Sequence, residues 1–329
     1  MRARFRLAGA IFVLAAWFQA SFASFGARPA LGQEFSPSPP AVLSEETKLV
    51  VVPVSATDRQ GHFVAGLKES NFRVYEDGKA QSIAAFRDAD VPVTVGILVD
   101  HSGSMAAKSD DVIQGATAFV QASNPQDEEF VVNFGNGISF GLPPDVPFTG
   151  NIAELRAALS TPSTTGMTAL YDAMAAAIQH FQGSPTDKKV LLLISDGGDD
   201  VSRHKFGEIL HMAQGANVAI YSIGLLDPLS ADQNPEVLRK FARETAGEVY
   251  FPNSTIGVVS VCIAIANDIR HQYTLAYAPP ANGKAGSHRI RVVVHAPGRG
   301  RLTVRARKEY FLSAASAGGA NDTSPQGRQ

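Results

Sequence analysis

Five oxygen-bearing residues could do chemistry together in this chain. Asp100, Ser102 and Ser104 alternate just after an apolar run, Val93 to Val99. Asp196 follows a second such run, Val190 to Ile194, and Thr168 lies between the two, in the stretch Thr164-Thr165-Gly166-Met167-Thr168. In open α/β sheets, ligands bind beyond the carboxyl ends of the strands. Three loops in these positions would therefore turn carboxylates and hydroxyls towards one sheet edge. That donor set suits a hard divalent cation, because Mg²⁺ takes oxygen ligands and keeps several waters. Ser102, Ser104 and Thr168 offer neutral hydroxyls, while Asp100 and Asp196 supply the balancing charge. A cation held largely by neutral hydroxyls stays electrophilic and can accept a carboxylate from a partner.

The elements that must position these residues follow from the apolar rhythm. Between about 91 and 270, buried-strand runs alternate with helical stripes, which predicts an α/β fold with a doubly wound, mainly parallel sheet flanked by helices. The strands are Val93–Val99, Phe130–Phe134, Val190–Ile194 and Val218–Ile223. Helical stripes run through Val112, Ile113, Ala116, Phe119 and Val120; through Leu170, Met174, Ile178 and Phe181; through Val237, Leu238 and Phe241; and through Val259, Cys262, Ile263, Ala266 and Ile269. Residues 46–90 and 271–312 alternate with period two instead. Asp77-Gly78 predicts a tight hairpin turn, and Pro53 inside Leu49–Val54 predicts an edge strand or a strand end. Neither stretch makes a comfortable β domain alone, so the expectation is one small β-sandwich built from both.

The ends read differently. Arg2, Arg4 and Arg6, the twelve-residue apolar run Leu7–Phe18 and Ser21-Phe22-Ala23 predict a secretory signal over residues 1–23 and an exported protein, periplasmic or secreted. Residues 24–45 read as a flexible linker, and residues 313–329 as a disordered tail.

The ordered set Asp100-x-Ser102-x-Ser104, Thr168 and Asp196 resembles the metal-ion-dependent adhesion site of the von Willebrand factor type A domain. The likeness extends through Thr57-Asp58-Arg59-Gln60-Gly61-His62-Phe63, Phe72 to Gly78, Ser123 to Asp127 and Gln272-Tyr273-Thr274-Leu275. Over about 46–312 the chain looks like the VWFA-related domain family of secreted bacterial proteins, often described from acidobacteria. That resemblance implies a type A, Rossmann-like domain. It implies Ser102, Ser104 and Thr168 as direct ligands of Mg²⁺, with Mn²⁺ or Ca²⁺ as alternative ions, and Asp100 and Asp196 as binding directly or through water. It also implies a protein partner offering an acidic side chain. His101 falls at the variable position of the motif and is expected at the rim.

Composition excludes several other classes. The 329 residues carry a net charge of −2, which argues against nucleic acid. The single cysteine, Cys262, excludes a disulfide scaffold and a four-cysteine metal site; it reads as a buried hydrophobe. No apolar run reaches the ~20 residues of a membrane span. An aspartyl phosphatase would want a second acid where Ser102 stands, and the P-loop motif is absent. The letters G-x-S-x-G occur at Gly137–Gly141, but Leu142-Pro143-Pro144 cannot begin the helix that such a nucleophile needs. His180, His204 and His211 lack zinc-protease spacing, Asp199 and Asp200 read as a solvated loop, and the arginines from Arg289 to Arg307 read as a solvated strand face. The expectation is a non-enzymatic binding module. The rivals are a structural envelope subunit with a stabilising metal and, behind it, a metal-assisted hydrolase.

Overall fold

The computed structural model of the chain describes residues 49–160, 166–227, 232–280 and 285–312. The signal, linker and tail expected at 1–23, 24–45 and 313–329 lie outside these residues, as do Thr164 and Thr165.

The first strands in chain order are β1 (Val50–Thr57), β2 (Phe72–Glu76), β3 (Lys79–Gln81) and β4 (Ile83–Arg87). The central region runs β5 (Thr94–Asp100), α1 (Ser109–Ala122), β6 (Glu128–Phe134), β7 (Ile138–Phe140), α2 (Ile152–Leu159), α3 (Leu170–His180), β8 (Lys189–Ser195), α4 (Phe206–Gly215), β9 (Val218–Gly224), α5 (Pro235–Thr245), β10 (Val249–Tyr250) and α6 (Thr255–Arg270). Four strands close the described chain: β11 (Tyr273–Tyr277), β12 (Gly286–Val294), β13 (Thr303–Ala306) and β14 (Glu309–Leu312).

The central sheet has the order β10-β9-β8-β5-β6-β7, parallel except for β7. β5 is buried at every residue, as a strand covered by helices on both faces must be. Val99 lies opposite Ile194, so β5 and β8 end at one level and the residues after them emerge side by side. That register positions the site.

On one side α1 crosses α6 closely. A Cβ added at Gly115 would sit 2.6 Å from Val258 Cγ1 and 3.0 Å from Cys262 Sγ, so only glycine permits this approach. The buried face of α6 is Val258, Cys262, Ile265, Ala266 and Ile269, displaced from the stripe read in the sequence; Ile263 is 39% exposed. The helix is apolar nearly all round, so periodicity alone does not choose its face. Cys262 is fully buried, and desolvation pushes its thiol up to about 12.

The flanking strands form two four-stranded antiparallel sheets, β13-β1-β11-β4 and β14-β12-β2-β3, each combining amino- and carboxyl-terminal segments. They share a core of Val52, Val54, Tyr273 and Leu275 with Phe72, Val74, Ile290 and Tyr310. The β2–β3 turn has left-handed backbone at Asp77 (φ 48°) and Gly78 (φ 81°), as a two-residue hairpin of twisted strands requires. Pro53 is not on an edge strand. β1 is an inner strand, but it pairs with β13 only from Val54 onward. At Pro53, which lies opposite Thr274, the sole neighbour among the described strands is β11.

The sandwich is tied to the central region by a polar clamp. Arg305 on β13 binds Asp268 of α6, and its Nη1 reaches Ala246 O at 3.1 Å and Tyr221 Oη at 3.3 Å. Asp268 also accepts from Ser55 Oγ at 2.9 Å and from Tyr221. Arg307 is buried as well. The solvated face expected for the arginines therefore fails at these two positions, because this part of β13 and its continuation turn inward.

Candidate functional site

β5 ends at Asp100, which is 2% exposed. Its Oδ1 accepts the Ser102 N–H at 2.9 Å, and its Oδ2 accepts Ser195 Oγ–H at 2.6 Å. A short 3₁₀ turn, Gly103–Lys108, then carries Ser104 back over the strand end. Ser104 Oγ lies 3.2 Å from Ser102 Oγ and donates to Asp196 Oδ2 at 2.6 Å. Asp196, also 2% exposed, accepts the Gly198 N–H on its other oxygen at 3.0 Å. Four of the five sequence-predicted residues thus form one continuous hydrogen-bonded cluster at the carboxyl ends of β5 and β8.

The fifth, Thr168, is 4% exposed and reaches the same loops through its backbone. Its N–H donates to Asp200 Oδ2 at 2.8 Å, and its carbonyl accepts the Asp200 N–H at 2.8 Å. Next to it, Gly166 O accepts the Gly103 N–H at 3.1 Å. The three loops are therefore stitched together.

Gly197 shapes the loop after β8. Its φ is +85°, and an added Cβ would lie 2.4 Å from Asn234 O. Asn234 in turn caps α5, its side chain accepting the Val237 N–H at 3.3 Å ahead of Pro235 at the first helical turn. The carbonyl of Asp196 accepts the Asn234 N–H at 3.1 Å, which fixes this loop against the start of α5.

The electrostatics fit a cation. Two carboxylates are buried side by side, and among the described residues no basic side chain is ion-paired to either. Burial, with the Asp196 charge adding to it, holds the Asp100 carboxyl above the ordinary carboxylate value, against the hydrogen bonds from Ser195 and Ser102. Hydroxyls of Ser102 and Ser104 stand between the two acids. This donor set of oxygens only, with uncompensated negative charge, is one that a hard divalent ion satisfies.

Two contributors were not read in the sequence. Ser195 is the terminal residue of β8 and orients Asp100; a serine ending an apolar strand carries no distinctive signal. Asp200 anchors Thr168, and its neighbour Asp199 accepts the Tyr171 N–H at 3.2 Å, so these acids brace the start of α3 rather than forming only a solvated loop. His101 is half-buried, and its Nε2 meets Asn133 Oδ1 at 3.0 Å. The three histidines weighed above for zinc are elsewhere: His180 packs among Phe130, Phe140 and Phe148, His204 pairs with Asp172 at 2.6 Å, and His211 lies against Phe311. Ser139 of the G-x-S-x-G stretch sits in the short strand β7, and the next helix, α2, begins only at Ile152.

Residues 95–198 match the von Willebrand factor type A domain family. The chain contains such a domain, and domains of this family commonly serve as protein-interaction modules. No curated protein matches the chain. Among solved structures, it is similar to a von Willebrand factor type A protein from Catenulispora acidiphila, at 14% identity over 82% of this chain and 75% of that one, with a TM-score of 0.49. It is also similar to manganese-loaded Plasmodium vivax TRAP protein, at 14% identity over 73% and 98% with a TM-score of 0.44. A third similarity is to an aerotolerance-related membrane protein from Bacteroides fragilis, at 17% identity over 54% and 98% with a TM-score of 0.44. Among the described residues, no helix is long and apolar enough to cross a membrane.

Proposed function

We propose that the chain is an exported, divalent-cation-dependent protein-binding module that engages a carboxylate of its partner at the loops after β5 and β8. The observation that carries this reading is the unbroken path from Asp100 through Ser102 and Ser104 to Asp196, two buried acids joined by two hydroxyls and, among the described residues, with no basic side chain ion-paired to either. Export rests on the signal pattern of residues 1–23, and 91–270 is taken as the binding domain, with 46–90 and 271–312 as its supporting sandwich.

Ser102, Ser104 and Thr168 would hold the ion through hydroxyl oxygens, with Asp100 and Asp196 balancing its charge directly or through water; Mg²⁺ is favoured, with Mn²⁺ or Ca²⁺ as alternatives. When bound, the ion supplies an electrophilic centre for an incoming carboxylate. The chain's own residues orient that centre. Ser195 holds Asp100 by one oxygen, which leaves the other to the Ser102 N–H. Asp200 and Gly103 hold the Thr168 loop against the other two. Loss of the Ser104-to-Asp196 bond on metal binding would free both groups as donors.

The test is calorimetric titration of Mg²⁺ and Mn²⁺ into the native chain and into Asp100→Ala, followed by binding of aspartate-containing peptides with and without chelator. The expected result is one-site metal binding lost in the variant, and peptide capture only when metal is present. Failure of both ions to bind the native chain would overturn the reading.

A further inference from the structure

A second cluster of metal-ligating side chains lies in the sandwich, away from the loops after β5 and β8. Its origin is the pairing of β2 with β12. Glu76 stands opposite Ile290, so His288, two residues earlier on β12, lies diagonal to it on the same inward face. Asp77 follows Glu76 at the turn, where its left-handed backbone swings the carboxylate back towards β12 and Oδ1 accepts the Arg289 N–H at 2.9 Å. His288 Nδ1 then lies 2.8 Å from Asp77 Oδ2 and 3.2 Å from Glu76 Oε1. One ligand atom from each of the three residues falls within 4.8 Å of the others.

Two features separate this cluster from an ordinary surface ion pair. Glu76 is 3% exposed, a carboxylate withdrawn from water whose neighbours are the hydroxyls of Tyr310, which donates to Oε1 at 3.0 Å, and Tyr277. A buried carboxylate calls for compensating positive charge, which a cation shared with Asp77 and His288 supplies. In addition, Asp77 is half exposed, so the cluster has an entry path from solvent.

We propose that Glu76, Asp77 and His288 bind a divalent cation of the borderline class that accepts imidazole nitrogen together with carboxylate oxygen, with Zn²⁺ as the type ion. Ligands about 2.0–2.2 Å from such an ion sit roughly 3–3.5 Å from one another. The observed separations need only a small adjustment to reach this. Mg²⁺ is disfavoured here because it selects oxygen donors, so the two sites call for different ions. Bound at this position, the cation links the β2–β3 turn to β12 and, through Tyr310, to β14.

The experiment titrates Zn²⁺ into the full chain with Mg²⁺ in excess, so that the loops after β5 and β8 do not contribute. It is repeated on Asp77→Asn and His288→Ala. Asparagine tolerates the left-handed turn, which keeps the first variant foldable should the second not be. Saturable one-site binding that weakens about tenfold or more in Asp77→Asn is expected, as is a Zn²⁺-dependent rise in melting temperature in the native chain alone. Co²⁺ substituted for Zn²⁺ should give visible absorption bands of a site with fewer than six ligands, absent in His288→Ala. Absence of saturable Zn²⁺ binding, or equal affinity in the native chain and Asp77→Asn, would overturn the proposal and leave His288 as an ion-pair bridge. Because Asp77→Asn and His288→Ala leave the loops after β5 and β8 unchanged, a loss confined to these variants is independent of whether Asp100 holds a metal.

Discussion

Ser195, the last residue of β8, donates its hydroxyl proton to Asp100, the last residue of β5, at 2.6 Å within the buried interior. The register that places Val99 opposite Ile194 makes this contact, and the contact sets the Asp100 carboxylate plane. Partners that orient metal ligands are worth about 10–100-fold in affinity. Ser195→Ala should therefore weaken Mn²⁺ binding by that order while the far-ultraviolet circular dichroism stays unchanged. An unaltered titration would remove Ser195 from the site.

Gly197 should not tolerate alanine. The left-handed backbone costs a non-glycine residue about 1–3 kcal/mol, and the added methyl would meet the backbone oxygen of Asn234 at 2.4 Å. Gly197→Ala is expected to lose more than about 2 kcal/mol in urea unfolding and to displace Asp196. Gly207→Ala is the control: the space around that residue of α4 is open, and alanine there should be neutral or stabilise by about 0.4–1 kcal/mol.

Arg305 and Asp268 join the sandwich to α6, and each is largely buried. Removing one partner leaves an uncompensated charge, which for buried pairs costs about 3–5 kcal/mol. Arg305→Met should fall near the lower end of that range, because both groups keep some solvent contact. Arg305→Met combined with Asp268→Leu should recover part of the loss, since the double change removes both charges. Chemical unfolding of the three variants tests this; additive losses would show that the pair is not coupled.

The elements that could be read from the sequence are those in which composition and environment agree. β5 and β8 are continuous apolar runs because both faces are covered, and Asp100, Ser102, Ser104 and Asp196 follow them directly. The face of α6 could not be read, because Val259, Ile263 and their neighbours make the helix apolar on every side. α2 and α4 carried too short an apolar stripe to stand out. Pro53 suggested an edge because sequence cannot reveal that β13 begins pairing one residue later. Arg305 looked like any exposed strand arginine, because its partners lie 37 and 84 positions away at Asp268 and Tyr221. Contacts of that kind, like Ser195 on Asp100, arise from topology and leave no local trace.

At the opposite end of the sheet, the starts of β6 and β8 hold buried charges that should make stability depend on pH. Burial, with the Asp127 charge adding to it, pushes the Glu129 carboxyl up to about 8, and its Oε2 has no hydrogen-bond partner. Burial likewise raises Asp127 to about 6. Between the unfolded value of 4.5 and about 8, the folded chain retains the Glu129 proton and the unfolded chain does not. Folding therefore takes up protons, and stability falls as pH rises through that window, by a few kcal/mol in all. Lys188 acts in the next window. Desolvation lowers its amine from 10.5 to about 8, although Nζ donates to Ile269 O at 2.6 Å. Between about 8 and 9 the unfolded chain binds the extra proton, so stability rises again with pH; above about 9 the buried Cys262 thiol, which keeps its proton up to about 12, offsets this rise. Urea unfolding from pH 5 to pH 10 should thus show a minimum near pH 8. Glu129→Gln should flatten the descending limb, and Lys188→Met the ascending one. A profile that rises steadily from pH 5 to pH 8 in the native chain would mean that Glu129 is ionised in the folded state.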